Sequence, residues 1–165
     1  MIIYLLGFMG CGKTTLGKRL SKKILYPFID MDQYIEEKMK MTIREIFEKY
    51  GEGRFREIEK ETLEELSNKG NAVIATGGGA PCFFNNMDVM NEKGFPIYLK
   101  VSVNELFKRL SGKTDKRPLL KDKSPEELKN FIQQKISERE SFYIKAKIVM
   151  EGDAIKPEDI IEKLP

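Results

Sequence analysis

Two groups of residues near the start of the chain could do chemistry together. The first, Gly7-Phe8-Met9-Gly10-Cys11-Gly12-Lys13-Thr14, has the G-x-x-x-x-G-K-[ST] spacing of a P-loop. It lies between the apolar run Ile2 to Leu6 and a helical pattern at Thr15 to Lys23, which is the context the motif needs. Its glycines let the backbone curl so that successive N–H groups point at phosphate oxygens, and the following helix contributes its positive end. Lys13 then neutralises the β- and γ-phosphates while the Thr14 hydroxyl binds Mg²⁺. Residues 7–15 form the expected loop, with Gly10, Cys11, Gly12, Lys13, Thr14 and Thr15 as contacts to ATP. The second group, Asp30 and Asp32, follows the apolar run Pro27 to Ile29. Ligands of parallel sheets collect at the carboxyl ends of strands, so both acids are expected to face the same crevice as the P-loop. One would hold the metal through water and the other meet an acceptor hydroxyl. Phosphoryl transfer has a loose transition state, so a carboxylate is base enough. Helix capping is the other reading of Asp32.

Arg56 and Glu59 stand three apart in a helical stretch and share a face, which on an arbitrary helix would be an exposed pair of little energetic value. Gly77, Gly78 and Gly79 follow the apolar run Ala72 to Ala75, where bare residues let a ligand approach the backbone closely. A GTPase switch is not expected. No aspartate is followed by glycine three residues later, and Gly112-Lys113-Thr114-Asp115 has glycine where a guanine-reading motif needs Asn or Thr. The chain has no histidine, which removes the usual general base, the usual zinc ligand and every Ser-His or Cys-His arrangement. Carboxylates, Lys, Arg and backbone dipoles are left to do the chemistry.

These groups need a frame. Ile2 to Leu6, Pro27 to Ile29, Ala72 to Ala75, Pro96 to Leu99 and Lys147 to Met150 are short and lack strict alternation, which suits strands buried on both faces. Between them Thr42 and Glu45, Ser102 and Glu105, and Ser124 and Glu127 fit the S/T-x-x-E capping box, the last with Pro125 at the first helical position. Strands alternating with helices argue for an α/β chain with a parallel sheet covered on both sides. Two regions break the rhythm. From Asp32 to Lys69 a charged helical stretch, interrupted near Tyr50 to Gly53, replaces a simple crossover. Ser111 to Lys123 is too irregular for an element and reads as a mobile lid or solvated surface.

A length of 165 residues suits one domain, and 41% apolar with 33% charged residues is the balance of a soluble globular protein. Basic residues are dispersed and the net charge is only +3, so no nucleic-acid face is expected. There is neither a basic leader nor an apolar run of about 18 residues, so no membrane partner and a cytoplasmic location are expected. Cys11 and Cys82 are far apart and read as reduced thiols. Cys11, beside a helix N-terminus, admits either a lowered thiol pKa or inert packing.

Taken in order, GFMGCGKTT, the DMD of Asp30 to Asp32, FREIE from Phe55 to Glu59, TGGG from Thr76 to Gly79 and KRPLL from Lys116 to Leu120 resemble the shikimate kinase family. The match runs in register from Gly7 to about Tyr143. The resemblance implies a nucleoside-monophosphate-kinase-like fold: a three-layer α/β/α P-loop fold with a five-stranded parallel sheet of order 2-3-1-4-5, in a single domain over 1–165. A helical substrate-binding region at about 32–61 and a mobile lid at about 112–124 are part of it. The implied activity is transfer of the γ-phosphoryl group of ATP to the 3-hydroxyl of shikimate, in aromatic amino acid biosynthesis, with Mg²⁺ as cofactor. Matched residue by residue, Asp32 binds the acceptor hydroxyls and is the base, and Asp30 joins Thr14 at the metal. Arg56, Gly77, Gly78, Gly79 and Arg139 bind shikimate. Arg117 reaches the phosphates and the acceptor, and Arg109 lies against adenine. Lys13, Asp32 and Arg117 are thus the catalytic set. Forked guanidinium donors suit a carboxylate, as Arg56 and Arg139 would meet here. The family often carries basic residues near its C-terminal adenine loop, where this chain has EGDAIKP from Glu151 to Pro157. ATP and shikimate are the expected partners of a monomer. The alternatives are another small-molecule P-loop kinase, acting on gluconate or a nucleoside monophosphate, and a non-catalytic nucleotide-binding module.

Overall fold

The five apolar runs become five parallel strands, β1 (Ile2–Leu6), β2 (Phe28–Asp30), β3 (Ala72–Ala75), β4 (Phe95–Lys100) and β5 (Ile148–Glu151), in the order β2-β3-β1-β4-β5. The structure is a computed structural model and describes residues 1–113 and 117–165. Thr114, Asp115 and Lys116, inside the segment read as a lid and including the first residue of KRPLL, lie outside the described residues. Central β1 pairs Ile3 with Val73 on one side and with Phe95 on the other. Its side chains alternate between two cores: Ile2, Tyr4 and Leu6 enter one, Ile3 and Leu5 the other. Both faces are covered, which is why no polar residue interrupts the run.

The helices are α1 (Lys13–Ile24), α2 (Met31–Met39), α3 (Ile43–Leu66), α4 (Asn86–Lys93), α5 (Val103–Ser111), α6 (Pro125–Tyr143) and α7 (Pro157–Ile161). One core packs Ile35 of α2, Leu63 of α3 and Met90 of α4 against the sheet. The other packs Leu20 of α1, Leu106 of α5 and Ile132 of α6. Helices on both faces of the sheet make three layers, α/β/α.

Three local differences from the sequence reading bear on the site. β2 begins after Pro27 and runs through Asp30, whose backbone pairs with Ala75. Asp30 therefore ends the strand and also caps α2, accepting from the Gln33 N–H at 3.3 Å. The capping role belongs to Asp30, and the Asp32 side chain is left free of it. The capping boxes at Thr42 and Ser124 both close. At α5 Ser102 does cap Glu105, but the Glu105 carboxylate turns to Arg109, and Asp153 supplies the acceptor for the Ser102 N–H at 2.9 Å. The break expected near Tyr50 is at Gly51, whose φ of 80° and ψ of 170° divide α3 into two arms. The second arm carries Phe55, Arg56 and Glu59. Pro118–Leu120 forms a single 3₁₀ turn within the segment read as irregular.

Candidate active site

Where β1 ends at Leu6 the chain curls back, and Gly12, at φ 98°, caps α1 in the left-handed region that a side chain rarely enters. Lys13 folds over the loop, donating to the Gly7 carbonyl at 2.7 Å and the Phe8 carbonyl at 3.2 Å. Cys11 is buried against this bend, with its Sγ 3.8 Å from the Lys13 ammonium. The Thr14 hydroxyl donates to Asp30 Oδ2 at 2.9 Å. A hydroxyl and a carboxylate thus share one point at the mouth of the sheet. Such a pair fits Mg²⁺, which takes hard oxygens and keeps positions for phosphate and water. Among the described residues no group of three or more His, Cys, Asp or Glu side chains is placed to hold a metal ion.

The second half of the site is built on the glycine triplet. Arg56 Nη1 donates to Glu59 Oε2 at 2.8 Å, with side-chain exposures of 12% and 1%. This is a buried pair, unlike the exposed i,i+3 pair that spacing alone suggests. Burial pushes the Glu59 carboxyl up to about 7, with the Arg56 charge and hydrogen bond holding it back from rising further. A Cβ at Gly77 would lie 2.8 Å from Glu59 Oε1 and 2.9 Å from Asp32 Oδ1. At Gly79 it would lie 2.6 Å from Arg56 Nη1. At Gly78 it would lie 3.3 Å from Arg139 Nη1 and 3.5 Å from the Gly7 carbonyl oxygen. Each missing Cβ is therefore where a charged side chain comes down onto the backbone. Tyr143, at the end of α6 and fully buried, donates to the Gly78 carbonyl and pins the triplet from behind.

Gly78 joins the two halves. The Gly7 oxygen beside it is the one that receives the Lys13 ammonium. Asp32 is half-buried, and its carboxyl is raised above the usual range mainly by that burial and next by the Asp30 charge. Lys13 and Arg56 pull it back. One residue of the P-loop and one of the arginine pocket thus act on the same acid.

A cavity of about 710 Å³ opens along the P-loop, bounded by Asp32, Gly78, Arg109, Arg117 and the segment Asp153 to Lys156. Arg109 stands against the loop rather than loose in solvent: Nη1 donates to the Gly10 carbonyl at 3.2 Å and Nη2 to the Asp153 carbonyl at 2.6 Å. Asp153 in turn grips the Ser102 N–H and hydroxyl, both at 2.9 Å. The C-terminal segment reaches the cavity through this tie even though it carries a single lysine. Thr15 lines the same cavity. Every residue singled out from the sequence as a site candidate lies at this cavity or at the glycine triplet beside it. Glu59 as a buried acid, Tyr143 and Asp153 were not among them. Only the spacing of Glu59 from Arg56 hinted at any of the three.

The shikimate kinase family model matches residues 9–164. The shikimate kinase of Azobacteroides pseudotrichonymphae is 47% identical over 163 residues, 98% of this chain and 96% of that one. The crystal structure of the Bacteroides thetaiotaomicron shikimate kinase superposes with a TM-score of 0.92 at 42% identity, covering 99% of this chain and 95% of the other. A shikimate kinase from Acinetobacter baumannii, in complex with shikimate, gives 0.84 at 35% identity, covering 98% and 89%. The match spans the P-loop, the arginine pocket and the C-terminal segment alike, and on that evidence the chain belongs to the shikimate kinase family.

Proposed function

We propose that this protein transfers the γ-phosphoryl group of ATP to the 3-hydroxyl of shikimate, giving shikimate 3-phosphate and ADP for aromatic amino acid biosynthesis. The observation that carries the reading is the junction at Gly78, where the carbonyl holding Lys13 and the Arg139 guanidinium both come close to the same glycine. A phosphate donor and an acid-bearing acceptor would meet there.

In this mechanism the P-loop amides and Lys13 bind the phosphates, Lys13 exchanging the Gly7 and Phe8 carbonyls for phosphate oxygens. Thr14 and Asp30 would hold Mg²⁺, which when bound supplies positive charge to the triphosphate. Arg56 and Arg139 clamp the acceptor carboxylate. Asp32 accepts a hydrogen bond from the acceptor hydroxyl and takes its proton as that oxygen bonds to phosphorus and the bond to the ADP oxygen breaks. A raised carboxyl pKa brings Asp32 nearer to the working pH and makes it a better base than an exposed aspartate. Arg117, half-buried at the same cavity, offers its guanidinium to the charge developing in transfer. Arg109 and the segment Asp153 to Lys156 form the wall against which the base of the nucleotide lies.

We further assign residues 7–15 as the phosphate loop, about 32–61 as the acceptor-binding region and about 112–124 as a lid that closes over both, within one domain of 1–165. A cytoplasmic monomer that binds neither nucleic acid nor membrane goes with this reading. Among the described residues no helix is long and apolar enough to cross a membrane.

The test is ADP release from purified protein with Mg²⁺ and ATP on adding shikimate, gluconate or a nucleoside monophosphate in turn. Release with shikimate alone supports the assignment. Release only with one of the others moves the chain to another small-molecule kinase activity.

A further inference from the structure

Arg56 is fixed by more than its carboxylates. Its guanidinium carbon lies 4.1 Å from the centre of the Phe83 ring and 5.2 Å from that of Phe55. Glu59 meets Nη1 at 2.8 Å, while Glu52 meets Nη2 and Nε only at 3.3 and 3.4 Å and is itself 59% exposed. The one short bond is at Nη1, and long bonds to an exposed carboxylate at the other two nitrogens hold the guanidinium plane only weakly. A flat ring face at stacking distance fixes that plane, and a cation over an aromatic face gains electrostatic attraction as well.

The ring stands on a rigid support. Phe83 closes the 3₁₀ turn Ala80–Cys82 that begins directly after Gly79. Asn86, fully buried, donates from its side chain to the Ala80 carbonyl at 2.8 Å and from its backbone to the Phe83 carbonyl at 3.2 Å. Gly79, which lets Arg56 settle onto the backbone, and Phe83, which covers it, therefore belong to one locked turn. We infer that Phe83 is a positioning residue for the acceptor, setting the plane in which Arg56 presents its fork to the acceptor's carboxylate. The inference rests on the reading of Arg56 as a carboxylate clamp. It assigns affinity for the acid to a residue that does not itself touch it.

Phe83 is half-buried, so replacing it with leucine keeps an apolar side chain there but removes the ring face, while tyrosine keeps the ring. Phe83→Leu is expected to raise both the Kd and the KM for shikimate about three- to thirty-fold, the worth of a partly desolvated cation–π contact. The effect falls on KM rather than kcat and leaves the Kd for ADP unchanged. Phe83→Tyr should stay within about twofold of the parent protein. A readout independent of any acceptor is the Arg56 Nε–H proton resonance, assigned with Arg56→Lys. It should carry a ring-current shift in the parent and in Phe83→Tyr that is lost in Phe83→Leu. A parent protein that ignores shikimate yet shows this pattern of shifts would overturn the acceptor assignment and keep the positioning role. Unchanged shikimate binding and an unchanged Arg56 resonance in Phe83→Leu, or equal damage from leucine and tyrosine, would overturn the inference itself.

Discussion

Glu59→Gln isolates the most perturbed acid in the pocket. The carboxyl titrates near 4.5 in an ordinary setting and is pushed up to about 7 in the folded protein, chiefly by burial. Between those values the folded chain holds a proton that the unfolded chain has released. The stability this group contributes is fully present below about pH 4.5 and is lost as the pH rises through about 7. At about 1.4 kcal/mol per tenfold change, the loss is roughly 3 kcal/mol, of which roughly 2 to 3 falls between pH 5 and pH 8. Glutamine has nearly the shape of the protonated acid, still offers Arg56 an oxygen and does not titrate. Urea unfolding of parent and variant at pH 5, 6.5 and 8 would give the difference directly, because every other titrating group cancels to first order. The variant should gain on the parent by roughly 2 to 3 kcal/mol across that range. A flat difference curve, or a variant that loses ground as the pH rises, would refute the claim that desolvation outweighs the Arg56 attraction at this site.

Four further outcomes follow from the same geometry. Asp32→Asn should lower kcat by about 10² to 10⁴-fold, the usual worth of a positioned base, with ADP affinity by calorimetry within about twofold of the parent; equal loss of both would make Asp32 structural. Gly79→Ala places a Cβ 2.6 Å from Arg56 Nη1, so Arg56 must move. The KM for shikimate should rise about ten- to a hundredfold, as for loss of a charged hydrogen bond, with little change in the KM for ATP. Shikimate binding near pH 7 should take up protons, since an anion beside Arg56 raises the Glu59 carboxyl further; calorimetry in phosphate and Tris buffers would show unequal heats that become equal in Glu59→Gln. Asn86→Ala leaves the Ala80 carbonyl without its side-chain donor and should cost about 1 to 3 kcal/mol in urea unfolding while weakening shikimate binding.

The fold was legible where covalent pattern and burial coincide. A strand buried on both faces cannot tolerate a polar residue, so β1 and β3 could be delimited to the residue, whereas β2 and β5, edge strands with exposed or half-exposed positions, were each placed one residue early. The phosphate loop was legible for a similar reason. Its chemistry is done by consecutive backbone groups, and consecutive residues are what a sequence displays. Strand ends told that Asp30 and Asp32 would face the P-loop, but not which individual side chains distant segments would bring into contact elsewhere. Asp153 replaces Glu105 in the cap of α5 because residues 51 apart in sequence meet at that helix start, and no local pattern favours one acid over the other.

Glu59 presents the same difficulty in its most consequential form. Its spacing from Arg56 is the spacing of any surface pair, and a surface pair is worth little because water screens it. Gly77, eighteen positions further on, changes that. By lacking a side chain it lets the carboxylate close against the backbone, and closing it there excludes water. The same act brings Asp32 within reach of the same glycine and sets Arg56 on the next but one. A triplet of residues with no side chains thus determines the protonation of one acid, the basicity of another and the orientation of the cation between them. The chemistry of this pocket is carried by charged groups, but its tuning is carried by the absence of three methyl groups. For that reason, adding one back at Gly79 should disturb acceptor binding as severely as removing a charge.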